Sequence, residues 1–540
     1  MIRGQAPCLP SLAEYSSGRG RLWCRQVNGR HGAPVIVRTL IPPPTPGLIG
    51  GGAMTSQPTL CRAWPRRVQS MPRYKSEERS AQYYALFEPT DILENGRWNL
   101  DAPVLIDAMP VASAESFATM DEAPDNVDFL LLSVDAREVE DYELSDEEYA
   151  RGEDAWCLIT LSNRNFAGAI SVRTLPIGDG SGEGSRPERL YMSVQKDETG
   201  RAATSSNNLR SFLSEAAETS QVEAALRSVD VSLHGVAVYD VGQANFNALV
   251  DQYEHPRLFF DFGRPIYIKG FSSPALDNFN PLVFSKSWKS NEPVVLSHLD
   301  QDHWHFAFKS GVARWDKSKG AWIVNPVYRR TARERPWVVR LPPSTVALGA
   351  SHLHLLLSLK SRKLAGGASA LHIWNSNWPD ISVGSVVIHR CNPGPNTPNT
   401  PAYLKNNTSL ALRVESDHAR VLLTGDADYP SIPSSAKQDL TGMVAPHHGG
   451  EVAANSTPAG VGPGRMVFST FNGAYPGNPS SQSSSEAQLA GWIVTQTNWR
   501  SYCSRCQKQH GHKYIPLLAA PPRCGCTHVE HAQICLPTGP

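Results

Sequence analysis

The sequence has no run of 18 or more apolar residues, so no part of it reads as a membrane span. It has no basic start followed by a compact apolar stretch, so no secretory signal is visible. A cytoplasmic location without membrane association is therefore the expectation. Net charge is also lacking. The 51 Lys and Arg balance 51 Asp and Glu, and the total neither supports nor excludes a nucleic-acid partner. Cysteine is sparse over most of the chain, yet five of the ten (Cys503, Cys506, Cys524, Cys526, Cys535) fall in the last 38 residues. Without a secretion signal, such a cluster reads as metal-binding before it reads as disulfides.

What is present is a long chain with a globular composition. Its 540 residues are 41% hydrophobic and 19% charged, which predicts two or three domains. Charge is unevenly spread. Residues 1–80 hold 12 Lys and Arg against three Glu, and residues 87–160 hold 20 acids against three Arg. Residues 1–75 have proline and glycine triplets and no sustained period, so they read as disordered or as lying before the true start, with Met54 and Met71 as candidate starts. Residues 76–230 read as an additional N-terminal α+β domain of unassigned role. Its strands are expected over 129–134 and 155–161, with one amphipathic helix over 209–229. Its acidic surface is a solvated face or a docking surface for a protein partner.

From residue 231 the texture changes to short apolar strands that end in polar turns. The sharpest case is Val294-Val295-Leu296-Ser297-His298-Leu299-Asp300-Gln301-Asp302-His303. A strand of Val and Leu can be buried on both faces, but histidine and ionised aspartate cannot follow it inside without partners. The pattern H-x-D-x-D-H therefore reads as a strand that delivers ligands to a Zn, Mn or Fe ion at its C-terminal end. Two later places share the arrangement. One strand ends in Thr424-Gly425-Asp426, and another in Pro446-His447-His448-Gly449. Strand ends are where a rigid sheet presents functional groups.

This ordered set resembles the metallo-β-lactamase superfamily, and more narrowly the C-terminal hydrolase domain of the ComEC-type competence proteins. Asp240-Val241-Gly242-Gln243-Ala244 is similar to that family's opening turn, Asp261-Phe262-Gly263 to its D-x-G, and Asn406 to Leu412 to its N-N-x-S-L-x-L strand. The resemblance spans 231–495. It implies an α/β (α+β) fold, an αββα sandwich with two divalent metal ions between the sheet edges. His298 and Asp300 would hold one ion, with His389 as a further ligand. Asp302 and His303 would hold the other, Asp426 would bridge both, and His447 or His448 would complete the second. Asp302 and His303 would be catalytic, and Asn407, Ser409 and Asn478 would face the substrate. Asp300, where a histidine is usual, makes the first site harder and moves the expectation from Zn towards Mn.

The implied reaction is hydrolysis of a phosphodiester, with DNA as the expected substrate. The alternatives are a small-molecule hydrolase acting on a cyclic nucleotide or lactone, or a binding module whose active site has decayed. Two departures motivate the last. Trp304 follows His303 where small residues are usual, and Asn478 stands where the family has a histidine. Between 309 and 340, nine Lys and Arg interleave with Trp315, Trp322 and Trp337, a mixture that suits single-stranded nucleic acid or a solvated loop over buried indoles. Finally, Cys503-x-x-Cys506 and Cys524-x-Cys526, in the tail 496–540, resemble a structural zinc site.

Overall fold

The computed structural model describes residues 77–89, 100, 102–139, 156–178, 187–229, 231–252, 255–265, 292–395, 397–398, 400–471, 478–503 and 508–518, with the backbone alone for 501–510. The readings for 1–75 and for most of the acidic 138–154 stretch lie outside these residues.

The N-terminal segment is built on a closed antiparallel barrel. Around the ring its strands are Ser80–Pro89, Pro103–Pro110, Leu130–Asp135, Ile170–Thr174, Arg189–Lys196 and Cys157–Ser162. The two strands expected from their apolar runs are both present, each shifted towards the C-terminus by one or two residues. Closure removes the unpaired edges that an open sheet of such apolar strands would expose. The single helix expected over 209–229 is in fact two, Arg201–Ser211 and Thr219–Leu226. Between them Ala217 donates its N–H to the Ile373 carbonyl (3.0 Å). Glu218 and Gln221 then form a reciprocal capping box that starts the second helix. The apolar spacing is continuous, but a tertiary hydrogen bond and a cap override it.

Two mixed seven-stranded sheets follow. The first runs in the order Leu371–Ile373, Trp337–Val339, Val294–Leu296, Pro256–Phe260, Asn247–Val250, Gly235–Val238 and Lys513–Pro516. The second runs Ile381–Val383, Val386–Arg390, Leu410–Glu415, Arg420–Leu423, Leu440–Val444, Gly460–Phe468 and Ile493–Gln496. Side-chain alternation stacks them. Val236, Val238, Leu258, Phe260 and Val295 from the first sheet meet Leu410, Leu412, Val414, Val421 and Leu423 from the second in one core. The intervening residues face outward. Ala237, Val294 and Leu296 belong to the outer core that includes the helix Ala350–Lys360. Ala411, Leu422, Met443 and Met466 pack with Ala487 of the helix Ser481–Leu489. The period of two along each strand thus produces four layers, helix, sheet, sheet, helix, and the fold is the αββα sandwich.

The outer core of the first sheet does not stop at residue 230. It is continuous with the barrel interior through Leu130, Leu132, Ile159 and Met192. This explains why the helix Ala350–Lys360 is buried over ten consecutive residues: it has the sheet on one side and the barrel on the other. Ser351 also donates from its N–H and hydroxyl (2.6 Å) to Asp107 of the barrel.

Part of the C-terminal segment belongs to the sandwich as well. Lys513–Pro516 pairs antiparallel with Gly235–Val238 as the edge of the first sheet. Asp240, fully buried, receives a two-pronged bond from Arg500 (2.6 and 2.9 Å) and the Gly511 N–H (3.1 Å), and its own N–H goes to His512 Nδ1 (2.8 Å).

Candidate metal centre

The strand Val294–Leu296 is buried at every position and pairs in parallel on both sides, with Pro256–Phe260 and Trp337–Val339. Arg420–Leu423 and Leu440–Val444 are likewise parallel neighbours. Parallel pairing puts their C-terminal ends on one edge, so Asp426 and the Pro446–Gly449 turn emerge side by side. The Leu410 N–H, donated to the Ser297 carbonyl (2.9 Å), ties the two sheets together at that edge.

Two overlapping groups of metal-ligand atoms result, His298, His303 and Asp426, and Asp302, His303 and His448, each within 4.8 Å. His303 is common to both. Its Nε2 lies 3.3 Å from Asp426 and 3.8 Å from Asp302, and its Nδ1 is held by Asp261 at 2.9 Å. The His448 Nε2 is 2.9 Å from Asp302 and 3.8 Å from Asp426, while its Nδ1 faces the Ser469 carbonyl at 3.0 Å. Both rings thus have one nitrogen anchored to an acceptor and Nε2 left for the centre, the usual arrangement of imidazole ligands. Burial is the largest influence on His303 and opposes its charging, but Asp426, Asp261 and Asp302 together hold its pKa well above the ordinary value. Burial likewise works against ionisation of Asp426, and His303 and His448 prevail to hold its carboxyl well below the usual range.

The backbone around these ligands is unusual where it must be. His447, His448 and Gly449 all have positive φ (48°, 57° and 84°), as does Asp261 (62°). Non-glycine residues rarely adopt this region, and it concentrates at functional sites. Gly425 (φ 57°) lies so near Ser297 that an added Cβ would stand 2.4 Å from the serine Cβ. Only glycine lets the Asp426 turn approach the strand this closely.

The other expected site residues are placed as follows. Asp300 belongs to neither group. It pairs with His298 Nε2 (3.1 Å) on one oxygen and with Lys405 on the other. His447 leans on Asp428 (3.4 Å), with its other nitrogen 3.7 Å from Asp426. His389 Nδ1 is bound to Asp380 (2.7 Å), and its buried Nε2 has no hydrogen-bond partner; it too lies outside both groups. Asn407 spends both amide atoms on Asp428 (3.0 and 2.8 Å) and so acts as a clamp on the Asp426 turn. Ser409 is fully buried. Asn478 Oδ1 sits against Gly450, 3.2 Å from where a Cβ would stand, at the rim of the histidine turn. Cys506, Cys524 and Cys526 lie outside the described residues, as does the side chain of Cys503.

Trp304 and the tryptophans of the basic 309–340 segment resolve into core packing, while Asn478, the other departure, stays at the rim of the histidine turn. Trp304 is fully buried, donates its indole N–H to the Leu299 carbonyl (2.9 Å) and lies in the barrel-side core. His305 is buried with it against Phe308, and burial pushes its pKa down to about 3, so it stays neutral. Trp322 and Trp337 are fully buried and Trp315 stacks edge-on to Trp322. Arg335 and Arg340 are buried on Glu292 and on the carbonyls of Cys391 and Ser409. Sequence reasoning, in turn, assigned no role to Asp261, Asn245 or Lys405. Asp261 carried a usable signal in its D-x-G turn. Asn245, which donates to Asp426 (3.0 Å), and Lys405 stand one position outside the Asp240–Ala244 and Asn406–Leu412 stretches, so neither motif marks them.

The donor set fits a divalent ion. The buried Nε2 atoms of His298 and His303 make no well-aligned hydrogen bond, although carboxylate oxygens of Asp300 and Asp426 lie 3.1 and 3.3 Å from them; buried imidazoles crowded against carboxylates in this way suit Zn, Mn or Fe. Asp261 is the residue that orients the shared ligand. Asp261→Asn is expected to weaken metal affinity roughly 10- to 100-fold, measured by competition with a chromogenic chelator; an unchanged affinity would remove Asp261 from that role.

No family model matches the sequence, and no curated protein matches it. Among solved structures, the chain is similar to the metallo-β-lactamase fold protein YhfI from Bacillus subtilis (12% identity, 52% of this chain and 100% of that one, TM-score 0.28). It is also similar to Zn(2+)-bound PqqB from Methylobacterium extorquens (11% identity, 48% and 97%, TM-score 0.29) and to a variant of the CmlA beta-hydroxylase (12% identity, 64% and 69%, TM-score 0.31).

Proposed function

We propose that this chain is a metal-dependent hydrolase, and that its reaction is hydrolysis of a phosphodiester, with DNA as the expected substrate, as in the ComEC-type hydrolases it resembles. The observation that carries the reading is the pair of overlapping ligand groups sharing His303, at the edge where three strand ends meet. A divalent ion bound there would acidify a water and stabilise charge on the attacked centre. The protein residues have separable tasks. Asp426, steadied by Asn245, and Asp302, steadied by His448, present carboxylate oxygens. Asp261 and Ser469 fix the ring orientations of His303 and His448. His447, at the open side of the turn with its side chain about a quarter exposed, is placed to exchange a proton with solvent.

A smaller ester, such as a cyclic nucleotide or a lactone, is the second reading. It is favoured by the burial of Trp322 and Trp337, which removes the aromatic platform that would have stacked single-stranded bases. Contact with a nucleic-acid backbone would fall instead to the exposed Lys309, Arg314, Lys317 and Arg330. Assay of the purified chain on DNA, RNA and small esters, with Mn and with Zn, separates the two. Metal-dependent turnover on at least one substrate, lost in Asp302→Ala, is the expected outcome. Turnover that survives in that variant, or none on any substrate, would sink the proposal.

A further inference from the structure

We infer that Lys405 supplies the positive charge on the Asp300 side of the centre, so that the protein holds one divalent ion tightly, at Asp302, His303, Asp426 and His448, and not two. The inference rests on the metal-centre reading above and concerns its stoichiometry.

Lys405 lies on the short helix Pro401–Asn407, just before the Asn407 clamp. Its ammonium ion-pairs with Asp300 and lies 3.8 Å from Glu88, and its side chain is only 12% exposed. Glu88 comes from the barrel strand Ser80–Pro89, so the barrel contributes directly to the edge of the site. Two carboxylates thus hold one cation in place. The second oxygen of Asp300 is 3.1 Å from His298 Nε2. Of the ligands expected for a first ion, His298 and Asp300 are therefore turned towards each other or towards the ammonium; His298 keeps a place in one ligand group, but Asp300 is missing from both.

Electrostatics decides between the two cations. A divalent ion seated on Asp300 would stand within ion-pairing range of a fixed ammonium, in a site from which water is largely excluded. Repulsion there is weakly screened, since screening by salt and solvent acts mainly on exposed charges. Asp300 already has its counter-charge and gains little from exchanging it for a metal. The opposite side has no such competitor: Asp302, His303, Asp426 and His448 meet no lysine or arginine in their ion pairs among the described residues. The aspartate that makes the first site look harder is, in this fold, the anchor of a lysine.

The test is metal stoichiometry on the purified full chain. Wild type and Lys405→Met are dialysed to equilibrium against Mn or Zn, metal per chain is measured by elemental analysis, and affinities are measured by chelator competition. One tight equivalent in wild type and two in Lys405→Met is the expected result, with the second ion bound roughly tenfold tighter or better than in wild type, as loss of a neighbouring like charge predicts. Two tight equivalents in wild type, or a folded Lys405→Met that still holds one, would overturn the inference and leave the metallohydrolase reading intact. No tight equivalent in wild type would overturn that reading itself. Lys405→Gln serves as the second neutral variant should the methionine variant not fold, and Lys405→Arg, which keeps the charge, is expected to hold one.

Discussion

Replacing Asp426 with alanine is expected to abolish metal retention and to lower hydrolytic turnover by roughly 10³-fold or more, the equivalent of about 4 kcal/mol of transition-state stabilisation. Asp426 stands among three histidines of the centre. Asp426 faces His303 (3.3 Å), His447 (3.7 Å) and His448 (3.8 Å), and receives a hydrogen bond from Asn245 (3.0 Å). Its loss leaves buried imidazoles facing one another without the anion between them, a poor set for a divalent cation. The effect should separate cleanly from folding. Asp426 lies beyond the end of the strand Arg420–Leu423 and contributes nothing to the inter-sheet core. Elemental analysis, turnover on the best substrate and a thermal melt, made on one preparation, test the prediction. A variant that keeps its metal and its rate would show that Asp426 is a neighbour of the centre and not a ligand.

The largest expected effect on stability lies elsewhere. Arg500→Met should destabilise the protein by about 3–5 kcal/mol, because it leaves the Asp240 carboxylate buried without its counter-ion. Asp240 has no exposed surface, and Arg500 supplies two of its hydrogen bonds. The same aspartate anchors Gly511 and, through its N–H, His512, immediately before the edge strand Lys513–Pro516. Local consequences should therefore appear first in the C-terminal strand, as faster amide exchange over 513–516 than over the central strands. The double variant Asp240→Asn/Arg500→Met, which removes the uncompensated charge, is expected to recover part of the loss. A single variant that melts at the wild-type temperature would refute the argument. Asp240 opens the stretch that resembles a family turn, so its position in that motif is explained here by a structural tie to the C-terminal segment.

The sandwich and the core of its site could be read from the sequence because they rest on local patterns. Alternation along Leu410–Val414 and Val421–Leu423 assigns each side chain to the inter-sheet core or the outer face, and a strand ending in His or Asp announces itself by the contrast between burial and charge. For the same reason His298, Asp302, His303, Asp426 and His448 were visible before any coordinates, and the fold brings them together. Burial of Trp304, Trp322 and Trp337 was not visible. An indole reads alike in a core and on a nucleic-acid surface, and only its neighbours decide which it is. The break at 212–218 was hidden too, since apolar spacing does not record a bond to Ile373 formed across the fold.

Charge partnership was the furthest from view. Asp300 reads as a ligand from its spacing alone. That it also holds Lys405, 105 positions later by its number in the chain, beside a glutamate from the barrel, follows from long-range chain packing, which no local pattern encodes. The sequence by itself therefore determined which chemistry can occur at the strand ends. Tertiary structure alone decided which donors converge, which aspartate is claimed by a lysine, and that the barrel reaches the site. The physical reason is range. Backbone periodicity and side-chain polarity act within a few residues, whereas the balance of buried charges depends on groups brought together from the whole chain.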